Sequence, residues 1–193
     1  MPRCTLGLYN SYDPVRFHEA HRRALARAAP LALAFDANLA TFGFPYDEGR
    51  RREAGKGARA EDDVDLRTPA EIARFVADST TIGEGGAYFV ELADKGRFQA
   101  FPFPEKGFPP QLGEVVLTTS KPDAKRSIPA AELRSLMAQR GVLLLFGLGP
   151  HGVPKEVPKL AARHFDVTGK GLSLETCSAM GAVVGSLLGP GGG

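Results

Sequence analysis

The chain has 193 residues, 43% hydrophobic and 24% charged, which fits one soluble globular domain with a sizeable core. No apolar run approaches the roughly 20 residues of a membrane helix, and no basic-then-apolar leader precedes the first strand, which argues against membrane and secreted classes and for a cytoplasmic protein. Two cysteines, Cys4 and Cys177, give no disulfide framework, and a net charge of +2 is far below that of a dedicated nucleic-acid-binding domain.

Thr5 to Tyr9 reads as a short buried strand. Asp13-Pro14 supplies an N-cap and a first-turn proline, which predicts a helix to about Ala28. Phe17, Ala20, Ala24 and Ala28 form its apolar stripe, with Arg16, Arg23 and Arg27 on another face. Pro30 is expected to end the helix and Leu31 to Phe35 to form the next strand, completing a βαβ unit. Residues 46–66, with Arg50-Arg51-Arg52 and Glu61-Asp62-Asp63, read as a mobile charged loop. The charge is uneven on the larger scale too. Residues 1–60 carry 10 Lys and Arg against 6 Asp and Glu, whereas residues 61–100 carry 4 against 9.

Thr68-Pro69-Ala70-Glu71 is a capping box that starts a helix to about Asp78. Ala87 to Leu92 is expected to be a strand. Phe98 to Pro110, dense in phenylalanine and proline, is expected to be an extended loop. Val115 to Leu117 is a strand, Thr118 to Lys121 its exit loop, and Pro129 opens a helix to about Gln139. Val142 to Phe146 is apolar enough to be buried on both faces of a parallel sheet. Phe165 to Val167 is a shorter strand. Ser173 is expected to cap a last helix through about Leu188, with Cys177 buried in it, and the glycine-rich end at 189–193 is expected to be disordered.

Two glycine turns fall late in the chain. Gly147-x-Gly149-x-x-Gly152 follows a strand, and Asp166 lies 19 residues after Gly147, as in a dinucleotide-binding fingerprint. The prolines at 150, 154 and 158 oppose the helix this motif must open, and only one short strand remains after it. Gly169-Lys170-Gly171 lacks the spacing of a phosphate loop. The glycine-rich segments instead suggest a pocket made largely of main chain.

Gly147-Leu148-Gly149-Pro150-His151-Gly152, followed by Asp166-Val167-Thr168-Gly169 and Ser173-Leu174-Glu175-Thr176, resembles the SPOUT class of methyltransferases. More narrowly, Leu8-Tyr9-Asn10, Ala24 to Pro30 and Ala40 to Pro45 resemble a small uncharacterised archaeal family of that class. The resemblance implies an α/β fold with a mostly parallel sheet, helices on both faces and a deep C-terminal trefoil knot, in a single domain. It implies S-adenosylmethionine bound by Thr118, Thr119 and Ser120, by Gly147, Leu148, Gly149 and Gly152, and by Val167, Thr168, Gly169, Leu172, Ser173 and Leu174. Each loop leaves the C-terminal end of a predicted strand, where ligands bind in open α/β sheets. A side chain at Gly169 is then expected to block the pocket.

In one branch of the class an arginine on the first helix assists the reaction, within an Asn-x-Gly-x-x-x-Arg pattern. Here Ser11-Tyr12 follows Asn10, and Glu175 stands where that branch has asparagine. Arg23 and Glu175 are the catalytic candidates, weighed against a surface pair of Arg23 with Glu19 and a helix-end role for Glu175. His151 is a candidate contact for a ligand phosphate or carboxylate. No metal site is expected. The implied substrate is RNA, tRNA or rRNA, with the arginine-rich surfaces meeting phosphates and the phenylalanines near 98–108 either stacking bases or packing. A homodimer is implied, with Ala179, Val183 and Leu187 of the last helix on its surface. A non-catalytic nucleotide- or RNA-binding module is the alternative, and a dinucleotide-dependent oxidoreductase a third reading.

Overall fold

A computed structural model of the chain describes residues 4–47 and 66–189. The charged segment expected to be a loop and the final glycines lie almost wholly outside the described residues. Six strands form one sheet: β1 (Cys4–Tyr9), β2 (Asn38–Phe42), β3 (Phe98–Phe101), β4 (Glu114–Thr118), β5 (Val142–Gly147) and β6 (Arg163–Phe165). Their order is β3-β2-β1-β5-β4-β6, and every pairing is parallel. The central strands β1 and β5 are aligned from Cys4 opposite Val142 to Tyr9 opposite Gly147. Both are buried on two faces, which explains the unbroken apolar run of β5 and leaves β1 a single buried polar side chain, Thr5.

The helices are α1 (Glu19–Ala34), α2 (Pro69–Ser79), α3 (Gly85–Asp94), α4 (Ala130–Gln139), the four-residue α5 (Val157–Leu160) and α6 (Thr176–Leu188). They flank the sheet unequally. Leu6, Leu8, Leu39, Val116, Leu144 and Phe146 face a core shared with α1, α2, α3, α4 and α6. The opposite side chains, among them Ala40, Phe42, Leu143 and Leu145, are covered by Val157 of α5, a 3-10 turn at Leu112, and Phe101, Phe103 and Phe108.

Several boundaries differ from the sequence expectation. Pro30 does not stop α1, because Ala28, Ala29 and Ala32 are all buried on the core side and packing overrides the local preference. Proline has no N–H for the Ala26 carbonyl, and Gly85 of α3 packs directly against that carbonyl, where a side chain would collide. The helix stops at a Schellman-type turn. The Ala37 N–H donates to the Ala32 carbonyl at 2.8 Å and that of Asp36 to Leu33 at 3.3 Å, with Asp36 at φ 50°. Leu31 to Phe35 is therefore helix end, and the strand follows at 38.

Asp13 caps no helix. Its Oδ1 accepts the N–H groups of Val15 and Arg16, and α1 begins at Glu19. Ala87 to Leu92 is helix, not strand: the buried positions Gly85, Gly86, Phe89 and Leu92 recur at helical spacing. Phe98 to Phe101 is an edge strand on β2 rather than loop, and the last strand ends at Phe165 rather than Val167. The phenylalanines around it pack internally, Phe42 lying 5.5 Å from Phe101 and 4.9 Å from Phe108.

The start of α2 matches its sequence signal. Thr68 Oγ1 accepts the Glu71 N–H at 3.2 Å, and Glu71 Oε2 accepts the Thr68 N–H at 2.9 Å. Thr68→Ala is expected to cost about 1 kcal/mol in urea unfolding; an unchanged unfolding midpoint would show that this cap contributes nothing.

Candidate functional site

The chain runs outward on one side of β1 through β2 and β3, then returns to build β5, β4 and β6 on the other side. A sheet of this kind opens a crevice beyond the carboxyl ends of its strands where the order turns back. A cleft of about 1240 Å³ lies there. It is larger than the roughly 300–1,000 Å³ of most small-molecule pockets, so it has room for a nucleoside-sized ligand and part of something bigger.

Four connections line it. The exit of β1 contributes Tyr12; the loop after β4 contributes Thr119 to Lys121; that after β5 contributes Leu148 to Val153; and that after β6 contributes Asp166, Val167 and Leu172 to Glu175. Thr118 and Gly147, at the ends of their strands, also line it, as do Arg23 and Arg27 from α1 and Cys177 and Ala179 from α6.

The β5 loop is fixed from both sides. The Leu148 N–H donates to the Tyr9 carbonyl and that of Gly149 to Ser11 Oγ, each at 2.9 Å. Thr176 Oγ1 donates to the Gly147 carbonyl at 2.8 Å. A Cβ at Gly149 would overlap the Ser11 carbonyl, and one at Gly147 would sit 2.7 Å from the Gly152 carbonyl carbon. The glycines are therefore needed for backbone-on-backbone contact, not for turning alone. No helix opens within the motif, and the next one is α5. That removes the helix N-terminus a dinucleotide fold uses for its pyrophosphate.

The β6 loop is organised by Asp166. Its Oδ1 accepts from Thr168 N–H and Oγ1 at 2.9 and 2.7 Å, and its Oδ2 accepts the Gly171 N–H at 2.8 Å. These bonds outweigh the upward push of burial and hold the carboxyl below its ordinary range. Asp166 is thus committed to the loop rather than available for a ribose. Thr168 and Gly169 do not line the main cleft. They line an adjoining hollow of about 510 Å³ with Pro122, Ser127 and Pro129, which shares Phe165, Asp166 and Val167 with the cleft. A Cβ at Gly169 meets nothing within 4 Å, and the φ of 60° there is one that L side chains rarely adopt. The other eleven residues expected at the cofactor all line the cleft.

Glu175, not Ser173, caps α6. Its Oε2 accepts the N–H groups of Cys177 and Ser178 at 3.0 and 3.1 Å, which holds its carboxyl below the usual value despite the opposing effect of burial. Arg23 reaches Glu19 at 3.5 Å, both side chains being largely exposed. Cys177 is half-buried on the cleft wall rather than enclosed, and burial raises its thiol above the ordinary range. His151 is exposed on the rim. Val183 and Leu187 point into the chain's own core, at 0% and 6% exposure, so they do not form a dimer surface. Among the described residues no cluster of three or more His, Cys, Asp or Glu side chains is placed to hold a metal ion, and no helix is long and apolar enough to cross a membrane.

Residues the sequence reading passed over complete the site. Asn10 is buried. Its Nδ2 donates to the carbonyls of Asp13 and Gly43, and its Oδ1 accepts from Tyr12 N–H and from His21 Nε2 at 3.0 Å. His21 is fully buried, and its Nδ1 accepts the His18 N–H at 3.1 Å. These bonds set the tautomer, with the proton on Nε2. Burial, and next the His18 charge, lower the imidazole to about 4, so it is neutral at neutral pH. This network holds the turn that carries Ser11 against Gly149. The available signal was position: Ser11 and Tyr12 follow the carboxyl end of β1, as the other loops follow theirs.

A family model described as "Protein of unknown function (DUF531)" matches residues 4–188. The chain belongs to this family. A relative from Methanocaldococcus jannaschii, "Uncharacterized protein MJ0224", is 40% identical over 183 residues, covering 95% of this chain and 92% of the relative. Among solved structures, a methyltransferase of Bordetella pertussis described as probable has a TM-score of 0.59 at 12% identity, covering 96% of this chain and 94% of its own. TrmJ from Z. mobilis matches with a TM-score of 0.55 at 15% identity over 99% and 69% of the two chains. An AdoMet-bound rRNA methyltransferase from Sinorhizobium meliloti matches at 0.51 and 17% identity over 96% and 55%. The fold of this DUF531 chain is that of the SPOUT methyltransferases.

Proposed function

We propose that this DUF531 protein is an S-adenosylmethionine-dependent methyltransferase acting on RNA, tRNA or rRNA, as a homodimer with a knotted C-terminal segment. The observation that carries the reading is the main-chain cradle at the ends of β4, β5 and β6, where Gly147 and Gly149 exclude side chains and eleven of the expected cofactor residues meet. An rRNA methyltransferase with the same fold is itself AdoMet-bound. In this reading, main-chain groups of the β5 and β6 loops hold the adenine between Leu148, Val167 and Leu172. S-adenosylmethionine supplies a methyl group already activated by its sulfonium charge.

What remains for the protein is to orient the nucleophile and exclude water. Arg23, Arg27, Lys121 and Lys155 line the cleft against two acids, Asp166 and Glu175. That imbalance favours a polyanionic substrate. Leu172 and Leu174, 59% and 42% exposed, are apolar side chains available to a second copy.

Incubation with tritium-labelled S-adenosylmethionine and total archaeal RNA should transfer label to acid-precipitable RNA, and absence of transfer would reject the enzymatic reading. The commitment of Glu175 to its cap and of Arg23 to Glu19 favours, as a second reading, a module that binds nucleotide or RNA without catalysis. Adenosyl-ligand binding without transfer would select it.

A further inference from the structure

We infer that Tyr12 is a platform on which an unpaired RNA base stacks at the mouth of the cleft. The inference rests on the RNA reading above and adds the contact that distinguishes a base from a bare phosphate chain. Five large hydrophobic side chains are exposed among the described residues, and three of them, Tyr12, Leu172 and Leu174, line the cleft. Exposed apolar surface is thus concentrated at the site. The other phenyl rings of the cleft wall, Phe146 and Phe165, are 2% and 4% exposed, whereas Tyr12 is 51% exposed. The phenylalanines at 98–108 are packed against the sheet and offer no open ring face of comparable size.

Tyr12 is also held in place. Its N–H donates to buried Asn10 at 3.1 Å, and its ring meets His18 and His21 edge-to-face with centroids 5.7 and 5.8 Å away. Its hydroxyl makes no hydrogen bond to the described residues, so the ring serves no internal polar contact. A ring already ordered loses little side-chain freedom when a ligand stacks on it. An ordered, open aromatic ring in the same cleft as Arg23, Arg27, Lys121 and Lys155 combines a stacking surface with phosphate-binding charge. That pairing is the chemistry by which proteins hold splayed single-stranded RNA.

The chain contains no tryptophan, so Tyr12→Trp introduces a single emitter at the site. The probes are an eight-nucleotide oligo(A) RNA, an abasic phosphodiester of the same length, and S-adenosylmethionine alone. Oligo(A) should quench the emission and the abasic chain should not. By anisotropy of labelled oligo(A), Tyr12→Ala should weaken binding about 10-fold, within the range of single-base stacking, while Tyr12→Phe should bind as the wild type does. Unchanged affinity in Tyr12→Ala, with the wild type binding oligo(A), would overturn the platform and leave the RNA reading standing. Quenching by S-adenosylmethionine with none added by oligo(A) would place the ring on the cofactor and overturn it as well. Failure of the wild type to bind oligo(A) would remove the RNA reading and the platform together.

Discussion

Replacing Gly149 by valine should lower affinity for S-adenosylmethionine about 100-fold or more while leaving the chain folded. The Gly149 N–H bonds Ser11 Oγ, and any Cβ on Gly149 falls on the Ser11 carbonyl. The position of a Cβ is fixed by its own backbone and the Ser11 carbonyl is main chain, so no side-chain rotation relieves the clash. Ser11 cannot retreat cheaply either, because Asn10 beside it is buried and bonded on both its amide atoms. The β5 loop must therefore shift toward the ligand. A 100-fold loss corresponds to about 2.7 kcal/mol, a reasonable size for moving a loop that forms one wall of the cradle. Gly96→Ala is the control. Gly96 lies outside the cleft, has φ 66°, and its Cβ meets nothing within 4 Å, so only left-handed strain of about 1–2 kcal/mol applies. Titration calorimetry with circular dichroism separates binding from folding. Undiminished affinity in a folded Gly149→Val protein would show that the cradle is not where the ligand sits.

Acid should destabilise the protein in a window that belongs to His21. An imidazole has a pKa of about 6.5 in the unfolded chain, and burial brings that of His21 to about 4 in the folded protein. Because the folded value is the lower one, the unfolded chain takes up the proton first. The contribution is fully present above about 6.5 and is lost as pH falls from there to about 4, amounting to about 3 kcal/mol. The depressed carboxyls of Asp13, Asp166 and Glu175 act lower down, since their contributions disappear only as pH falls through their folded values, below the ordinary carboxylate range.

Protonation at Nδ1 also removes the acceptor of the His18 N–H. That loosens the turn bearing Ser11, so ligand affinity should decline with stability. Urea unfolding at about pH 7, 5.5 and 4.5, compared between the wild type and His21→Gln, should show the extra loss only in the wild type. Equal slopes would contradict this account.

How much was legible in the sequence follows from which forces are local. The capping box at Thr68 and the apolar strand at Val142 announce themselves because their determinants lie within a few residues. Pro30 misled because its penalty is local while its compensation is not: buried alanines and Gly85 of another helix carry α1 onward to Ala34. Ala87 to Leu92 was expected as a strand, although the burial period at 85, 86, 89 and 92 is helical. The glycine loops were readable because close approach of backbone to backbone at the ends of strands demands glycine, which the sequence displays directly. The bracing of Gly149 by Ser11, 138 residues earlier in the chain, was not readable, since it exists only once β1 and β5 are neighbours. The same holds for Thr168 and Gly169, which the Asp166 turn sets in the hollow adjoining the cleft.

Titration calorimetry of the wild-type protein with S-adenosylmethionine, S-adenosylhomocysteine and NAD decides whether the cleft is an adenosyl-ligand site. Saturable one-site binding of both adenosyl ligands, with no heat from NAD, is the predicted result. No heat from either adenosyl ligand, or heat from NAD alone, would contradict it.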